Sequence, residues 1–194
     1  MEEFTNMDYQ YNKLIDAIEN LRDKKQILFA IELAKKSHKG QKRDEGQDYL
    51  IHPLRTANCL IFELSIKDTD LIIASILHDV VEDSDTTLET IRNYFGEKVA
   101  ELVDKLTRDK KKETKQEKFQ KLMKESKEVK LLKAVDWLDN LRSFPFRKVR
   151  DKRFFRHIRE ASTMCLPMAE SVNSYIASEM QKIIKILPKP QNSE

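Results

Sequence analysis

Leu71-Ile72-Ile73-Ala74-Ser75-Ile76-Leu77-His78-Asp79-Val80-Val81-Glu82-Asp83 is the stretch that decides how this chain is read. An apolar run of this length is too short to cross a bilayer and reads as a buried helix. It ends in one imidazole and three carboxylates, and burying those groups is very unfavourable unless their polarity is compensated. A divalent metal is the usual compensation. On a helix, positions i and i+4 share a face, so His78 pairs with Glu82 and Asp79 with Asp83. The expected result is two adjacent columns of metal ligands and acid–base groups. Imidazole with carboxylate suits a borderline ion such as manganese, iron or zinc, and the absence of thiols disfavours a structural zinc.

One helix end cannot surround an ion, so further ligands must come from elsewhere. His52, in Tyr49-Leu50-Ile51-His52-Pro53-Leu54, is the best candidate. Pro53 biases the residue before it towards an extended backbone, which would let the imidazole project from the start of a helix. Asp136, in Leu131-Leu132-Lys133-Ala134-Val135-Asp136-Trp137-Leu138-Asp139-Asn140-Leu141, is the second. It interrupts an apolar helix face where an unpaired carboxylate would be costly.

The rest of the chain reads as all-α. The 194 residues hold only three glycines, and helical spacing prevails over alternation. Helices are expected near Tyr9–Leu21, Lys24–His38, Pro53–Leu64, Asp70–Glu82, Leu88–Tyr94, Glu97–Thr107, Lys115–Glu125, Glu128–Leu141 and Lys152–Ile186. Gly40 and Gly96 sit where a left-handed helix cap is favoured, Pro53 suits a first helical turn, and Thr86 with Glu89 has capping-box spacing. The expected organisation is an N-terminal helix in residues 1–22, one domain over 23–187 and a frayed tail over 188–194. The charged segment from Arg108 to Lys130 is expected to be mobile.

Net charge is only +3, but Lys105, Arg108, Lys110, Lys111, Lys112, Lys115, Lys118, Lys121 and Lys124 crowd one segment. That run reads as a solvated helix face or as a rim attracting a polyanionic small molecule. With only Phe119 interleaved, it lacks a stacking platform, and nucleic acid is not the expected partner. The N-terminus has no basic-then-apolar leader pattern and no apolar run spans a membrane. Cys59 and Cys165 lie in apolar helical patterns like small buried hydrophobes, so the expected setting is the reducing cytoplasm.

In their order, these motifs resemble the HD phosphohydrolase superfamily, and most of all the hydrolase domain of Rel/Spo alarmone enzymes and stand-alone small alarmone hydrolases. The matching blocks are Ala34-Lys35-Lys36-Ser37-His38-Lys39-Gly40-Gln41-Lys42-Arg43, Tyr49-Leu50-Ile51-His52-Pro53, Leu77-His78-Asp79-Val80-Val81-Glu82-Asp83, Phe95 to Asp104, and Asp136-Trp137-Leu138-Asp139-Asn140-Leu141-Arg142, with a weaker Pro167-Met168-Ala169.

The resemblance implies a single-domain helical bundle with one manganese ion held by His52, His78, Asp79 and Asp136. It implies Glu82 and Asp83 as the catalytic pair, Arg43 stacking on a guanine ring and Asn140 contacting the sugar. The implied reaction removes the 3′-pyrophosphate of guanosine tetra- or pentaphosphate, giving GDP or GTP. Lys42, Lys133, Arg142 and Arg147 are basic groups available for the remaining phosphates. Trp137 stands where the family usually has arginine, Asp139 where it usually has histidine, and Asp44 where a basic residue is common, each removing positive or neutral character near the nucleotide. Two other readings stay open: an HD phosphatase acting on NADPH or a nucleoside monophosphate, and a non-catalytic nucleotide- or RNA-binding module. Self-association as a homo-oligomer is also open. The synthetase domain of the long bifunctional enzymes is not expected. His38 is read as packing near the site and His157 as exposed.

Overall fold

The computed structural model describes residues 2–147 and 149–188. Its elements run α1 (Glu2–Thr5), α2 (Met7–Ile18), α3 (Lys24–Ser37), α4 (Ile51–Asn58), α5 (Thr69–Leu77), α6 (Val80–Asp83), α7 (Leu88–Phe95) and α8 (Glu97–Leu106). They continue with α9 (Lys115–Leu122), α10 (Lys127–Ser143), α11 (Lys152–Glu160), α12 (Leu166–Val172) and α13 (Ser174–Ile186). Among the described residues there is no strand, and a single bridge, Lys42 to Asp48, is the extended pairing. No helix among them is long and apolar enough to cross a membrane.

α5 is the axis of the bundle. Every residue from Leu71 to Leu77 is buried, and a helix that is apolar all round must be enclosed by others. It packs against α3, α4, α8 and α10. Asp68 starts it by accepting the Leu71 N–H at 3.0 Å, which satisfies one of the orphan donors of the first turn. α4 is buried along its whole length, and α10 closes the opposite side against α12 and α13. The site therefore lies between the three most enclosed helices.

Several boundaries differ from the sequence expectation, for local reasons. The helix expected over Asp70–Glu82 breaks after Leu77 and resumes at Val80. Nδ1 of His78 donates to the Ser75 carbonyl at 2.7 Å, an acceptor that a regular helix would give to the N–H of residue 79. His52 is not extended: it lies in the first turn of α4, with Pro53 behind it. The cap of α7 is Thr87, not Thr86, since Thr87 accepts the Thr90 N–H at 3.1 Å; Thr86 instead meets the Ser37 hydroxyl. The long element expected over Lys152–Ile186 is divided at Asn173, whose side chain caps α13. π-helical turns at Cys59–Glu63 and Ala161–Cys165 extend α4 and join α11 to α12.

Gly96 takes a φ of +86° between α7 and α8, a conformation that only glycine adopts without strain. The charged segment expected to be mobile carries α9, fixed by a capping box between Thr114 and Glu117 and by buried Leu122. Cys59 and Cys165 are free and buried. The tail expected from residue 188 lies, from 189 onward, outside the described residues.

Ile73 is fully buried in α5. Truncation there leaves a cavity as well as losing apolar burial, so Ile73→Ala should lower unfolding free energy by about 2–5 kcal/mol in a urea titration. A loss below about 1 kcal/mol, the range of substitutions away from the core, would mean that α5 is not the central helix.

Candidate active site

α4, α5 and α10 bring four side chains to one buried point. Nε2 of His52 lies 3.1 Å from Nε2 of His78 and 3.2 Å from Oδ1 of Asp136. Nε2 of His78 lies 3.1 Å from Oδ2 of Asp79 and 3.7 Å from Oδ1 of Asp136. Side-chain exposure is 1% for His52, 5% for His78, 8% for Asp136 and 21% for Asp79, so the carboxylate of Asp79 is the member nearest solvent.

The tautomers follow from the outer partners. His78 Nδ1 faces a backbone carbonyl, an acceptor only, so that nitrogen carries the proton. His52 Nδ1 lies 2.6 Å from Oδ2 of Asp139, again an acceptor. With the protons so placed, each Nε2 of a neutral ring would turn its lone pair to the same point as two carboxylate oxygens. Four acceptors with no proton between them require positive charge. Burial opposes protonation of His78, but Asp79 and Asp136 overcome it and hold its pKa well above the ordinary imidazole value. The donor set fits a divalent ion, which would serve all four acceptors where one proton serves two. His52, His78 and Asp79 offer ligand atoms within 4.8 Å of one another.

A polar shell orients these groups. The Tyr49 hydroxyl donates to Oδ2 of Asp79 at 2.6 Å; burial, then the Asp79 charge, push the phenol far above its usual range, so it stays a donor. Lys133 Nζ donates to Oδ2 of Asp136 at 2.8 Å, and Asn140 Nδ2 to its Oδ1 at 2.6 Å. Burial would raise the Asp136 pKa, yet Lys133 and the two imidazoles hold it well below the ordinary carboxylate range. His38 packs here as read from the sequence, bonded to Gln41 at 2.9 Å, with its ring tilted by 32° against that of Tyr49 at 4.6 Å between centroids.

Glu82 and Asp83 do not form columns with His78 and Asp79. The break at residues 78–79 turns His78 and Asp79 together towards the centre and places the later pair on an adjoining cavity of about 450 Å³. There Lys110 lies 3.3 Å from Glu82 Oε1 and 2.8 Å from Asp83 Oδ1, and the Arg108 N–H donates to Glu82 at 3.0 Å. The same cavity is lined by Lys42, Arg43, Lys133, Asn140 and Trp137. Of the basic run, Arg108, Lys110, Lys115 and Lys118 reach it, while Lys111, Lys112, Lys121 and Lys124 are exposed.

Within the cavity wall Arg43 donates to Asn140 Oδ1 at 2.9 Å and lies over the Tyr49 ring. Lys42 pairs with Asp48. Asp44 is held by Arg147 at 3.1 Å. His157 is half-buried, not exposed; it lines the cavity with its pKa brought down to about 4 by burial and then by Lys115.

Two expected cavity residues lie elsewhere. Arg142 makes a two-pronged bond to Glu63, both prongs 2.7 Å, on a different cavity behind α10. Asp139 also faces that rear cavity, behind His52, so its negative charge is not next to the front cavity. Tyr49 and Arg55 carry no role in the sequence pattern, and Lys110 enters it only as a member of the basic run. The spacing held a signal: Arg55 follows His52 by three residues and Asp139 follows Asp136 by three, the separation that puts side chains on one helix face.

The chain has relatives with named activities. It is 49% identical over 83 residues to the guanosine-3′,5′-bis(diphosphate) 3′-pyrophosphohydrolase of Aquifex aeolicus, an overlap of 43% of this chain and 12% of that protein. It is 41% identical over 87 residues to the human guanosine-3′,5′-bis(diphosphate) 3′-pyrophosphohydrolase MESH1, 44% of this chain and 49% of that one. The match thus spans about half of the human relative and a small part of the bacterial one. A solved metazoan ortholog of SpoT that hydrolyzes ppGpp superimposes with a TM-score of 0.75 at 27% identity, covering 82% of this chain and 94% of that one. Residues 30–160, more than half of the chain, match the HD domain, and with its His78-Asp79 doublet at the centre of the bundle this chain belongs to the HD domain family.

Proposed function

We propose that this chain is a manganese-dependent hydrolase that removes the 3′-pyrophosphate of guanosine tetra- or pentaphosphate, with residues 23–187 as its catalytic domain and 1–22 as an accessory helical segment. The observation that carries the reading is the convergence of three buried side chains and the partly exposed Asp79 beside a cavity rimmed with cations. His52, His78, Asp79 and Asp136 would hold the ion. When bound, it supplies Lewis acidity towards water and phosphate oxygens. Cys59 and Cys165, both free and buried, suit a reducing cytoplasm.

The chain's own groups divide the remaining work. Glu82 and Asp83, on the cavity side of the centre, orient the attacking water and take its proton. Lys110 lies within 3.3 Å of both carboxylates and tethers them at the cavity wall. Lys42, Arg43, Lys133 and Arg147 line the cavity as phosphate partners, and with no glycine-rich phosphate loop in the chain these side chains must carry that role. The apolar surface of Phe119, Leu122, Trp137 and Met164 suits a purine ring. The relatives named for this reaction support guanosine polyphosphate as the substrate.

Three measurements test this reading. Manganese at 100 times its Kd should stabilise the fold by about 2.7 kcal/mol, and each kcal/mol moves Tm by about 2–4 °C in a domain of this size; an unchanged Tm would remove the metal site. Incubation with manganese and guanosine tetraphosphate should release pyrophosphate. Orthophosphate release from NADPH or a nucleoside monophosphate, with none of the expected product, would replace the substrate assignment. Asp79→Ala should lose metal binding and turnover together, whereas Glu82→Gln should keep the metal and lose about 10²–10⁴ in kcat. Parent-rate turnover by Glu82→Gln would take the base role away from it.

A further inference from the structure

Behind the centre, away from the front cavity, a second buried network runs from the N-terminus to His52. Oδ2 of Asp139 accepts Nδ1–H of His52 at 2.6 Å. The same carboxylate takes Nε of Arg55 on Oδ1 at 2.7 Å and Nη2 of Arg55 on Oδ2 at 2.9 Å. Asp139 and Arg55 are 4% and 5% exposed, so each is a buried charge whose counter-ion is the other. Arg55 is clamped in turn: its Nη1 donates to the Phe4 carbonyl at 3.2 Å and its guanidinium lies 3.9 Å from the Phe4 ring centroid. Phe4 stacks on Phe146 at 5.6 Å. The helices give this order a simple origin. On α4 Arg55 sits one turn beyond His52, and on α10 Asp139 sits one turn beyond Asp136, so ligand candidates and their supports face each other as two rungs.

The rung matters because of the 3.1 Å between the two Nε2 atoms. A neutral His52 without Asp139 is free to carry its proton on Nε2. That proton would lie on the line to His78 Nε2 and form a direct imidazole–imidazole hydrogen bond, using both lone pairs that face the centre. Asp139 prevents this by claiming the proton at Nδ1. We propose that Asp139 and Arg55 are positioning residues that keep His52 in its Nδ1–H form, with Phe4 anchoring them, so that the N-terminal segment contributes to metal affinity. The proposal rests on His52 being a metal ligand.

The test uses manganese alone as the probe. Titration calorimetry is run on the full chain and on the double variant Arg55→Met/Asp139→Leu, which removes both buried charges at once and so leaves no unpaired ion. Ring-nitrogen NMR reports the His52 tautomer in the metal-free proteins. The parent should show Nδ1–H. The double variant, folded by its melting curve, should bind manganese about 10–100-fold more weakly, as loss of a ligand's outer partner does, with His52 signal moving towards Nε2–H. A folded double variant with parent affinity and an unmoved His52 signal overturns the proposal. So does a parent protein whose His52 carries the proton on Nε2, a result that needs no variant to fold. A parent that shows Nδ1–H yet binds no manganese would leave the tautomer assignment standing and overturn the metal reading beneath it.

Discussion

Two imidazole nitrogens and two carboxylate oxygens converge in the interior of the bundle, the nitrogens 3.1 Å apart and each 3.1–3.7 Å from the two carboxylates. Such a point is unstable without positive charge, and much of the surrounding polar structure can be understood as restraint on it. Tyr49, Lys133 and Asn140 each donate to one carboxylate from outside. Ser75 and Asp139 fix the imidazoles from behind. The helices that carry these groups are enclosed by apolar side chains, so the cost of any one partner leaving is high.

The helical fold was legible because its signals are local. Leu71 to Leu77 is apolar on every face, and that alone places a helix in the middle of something. His52, His78, Asp79 and Asp136 were legible for a related reason: each is a charged or ionisable group set in an apolar pattern. What the pattern could not convey was the break after Leu77. Periodicity assumes that the helix continues, and His78 ends it by a side-chain bond to the Ser75 carbonyl that no spacing rule encodes. Glu82 and Asp83 are therefore turned to the cavity and not stacked over their neighbours. A similar limit applies to Pro53, whose preference for an extended predecessor was overridden once His52 gained its place in the first turn of α4.

Arg142 and Asp139 illustrate a different limit. Both follow Asp136 closely in sequence, which made them look like parts of the front cavity. On a helix, positions three and six residues beyond Asp136 are rotated from it by about 60° and about 120° in the same sense, so each turns further from the front cavity. Asp139 passes behind His52, and Arg142 reaches Glu63 on the far side. Sequence proximity located the helix correctly, while rotation around its axis decided which cavity each residue served.

The π-helical turns give the chain a tolerance that regular helices lack. Each holds one residue more than α-helical winding requires, so losing one residue there restores ordinary pitch instead of tearing the ladder. At Cys59–Glu63 the slack lies downstream of His52 and Arg55. Its removal would be absorbed by the short connection into α5, where Ser65 already adopts a left-handed φ of 55°. Deleting one residue at this point should therefore leave the histidine unrotated, which makes the turn a seam where chain length can change.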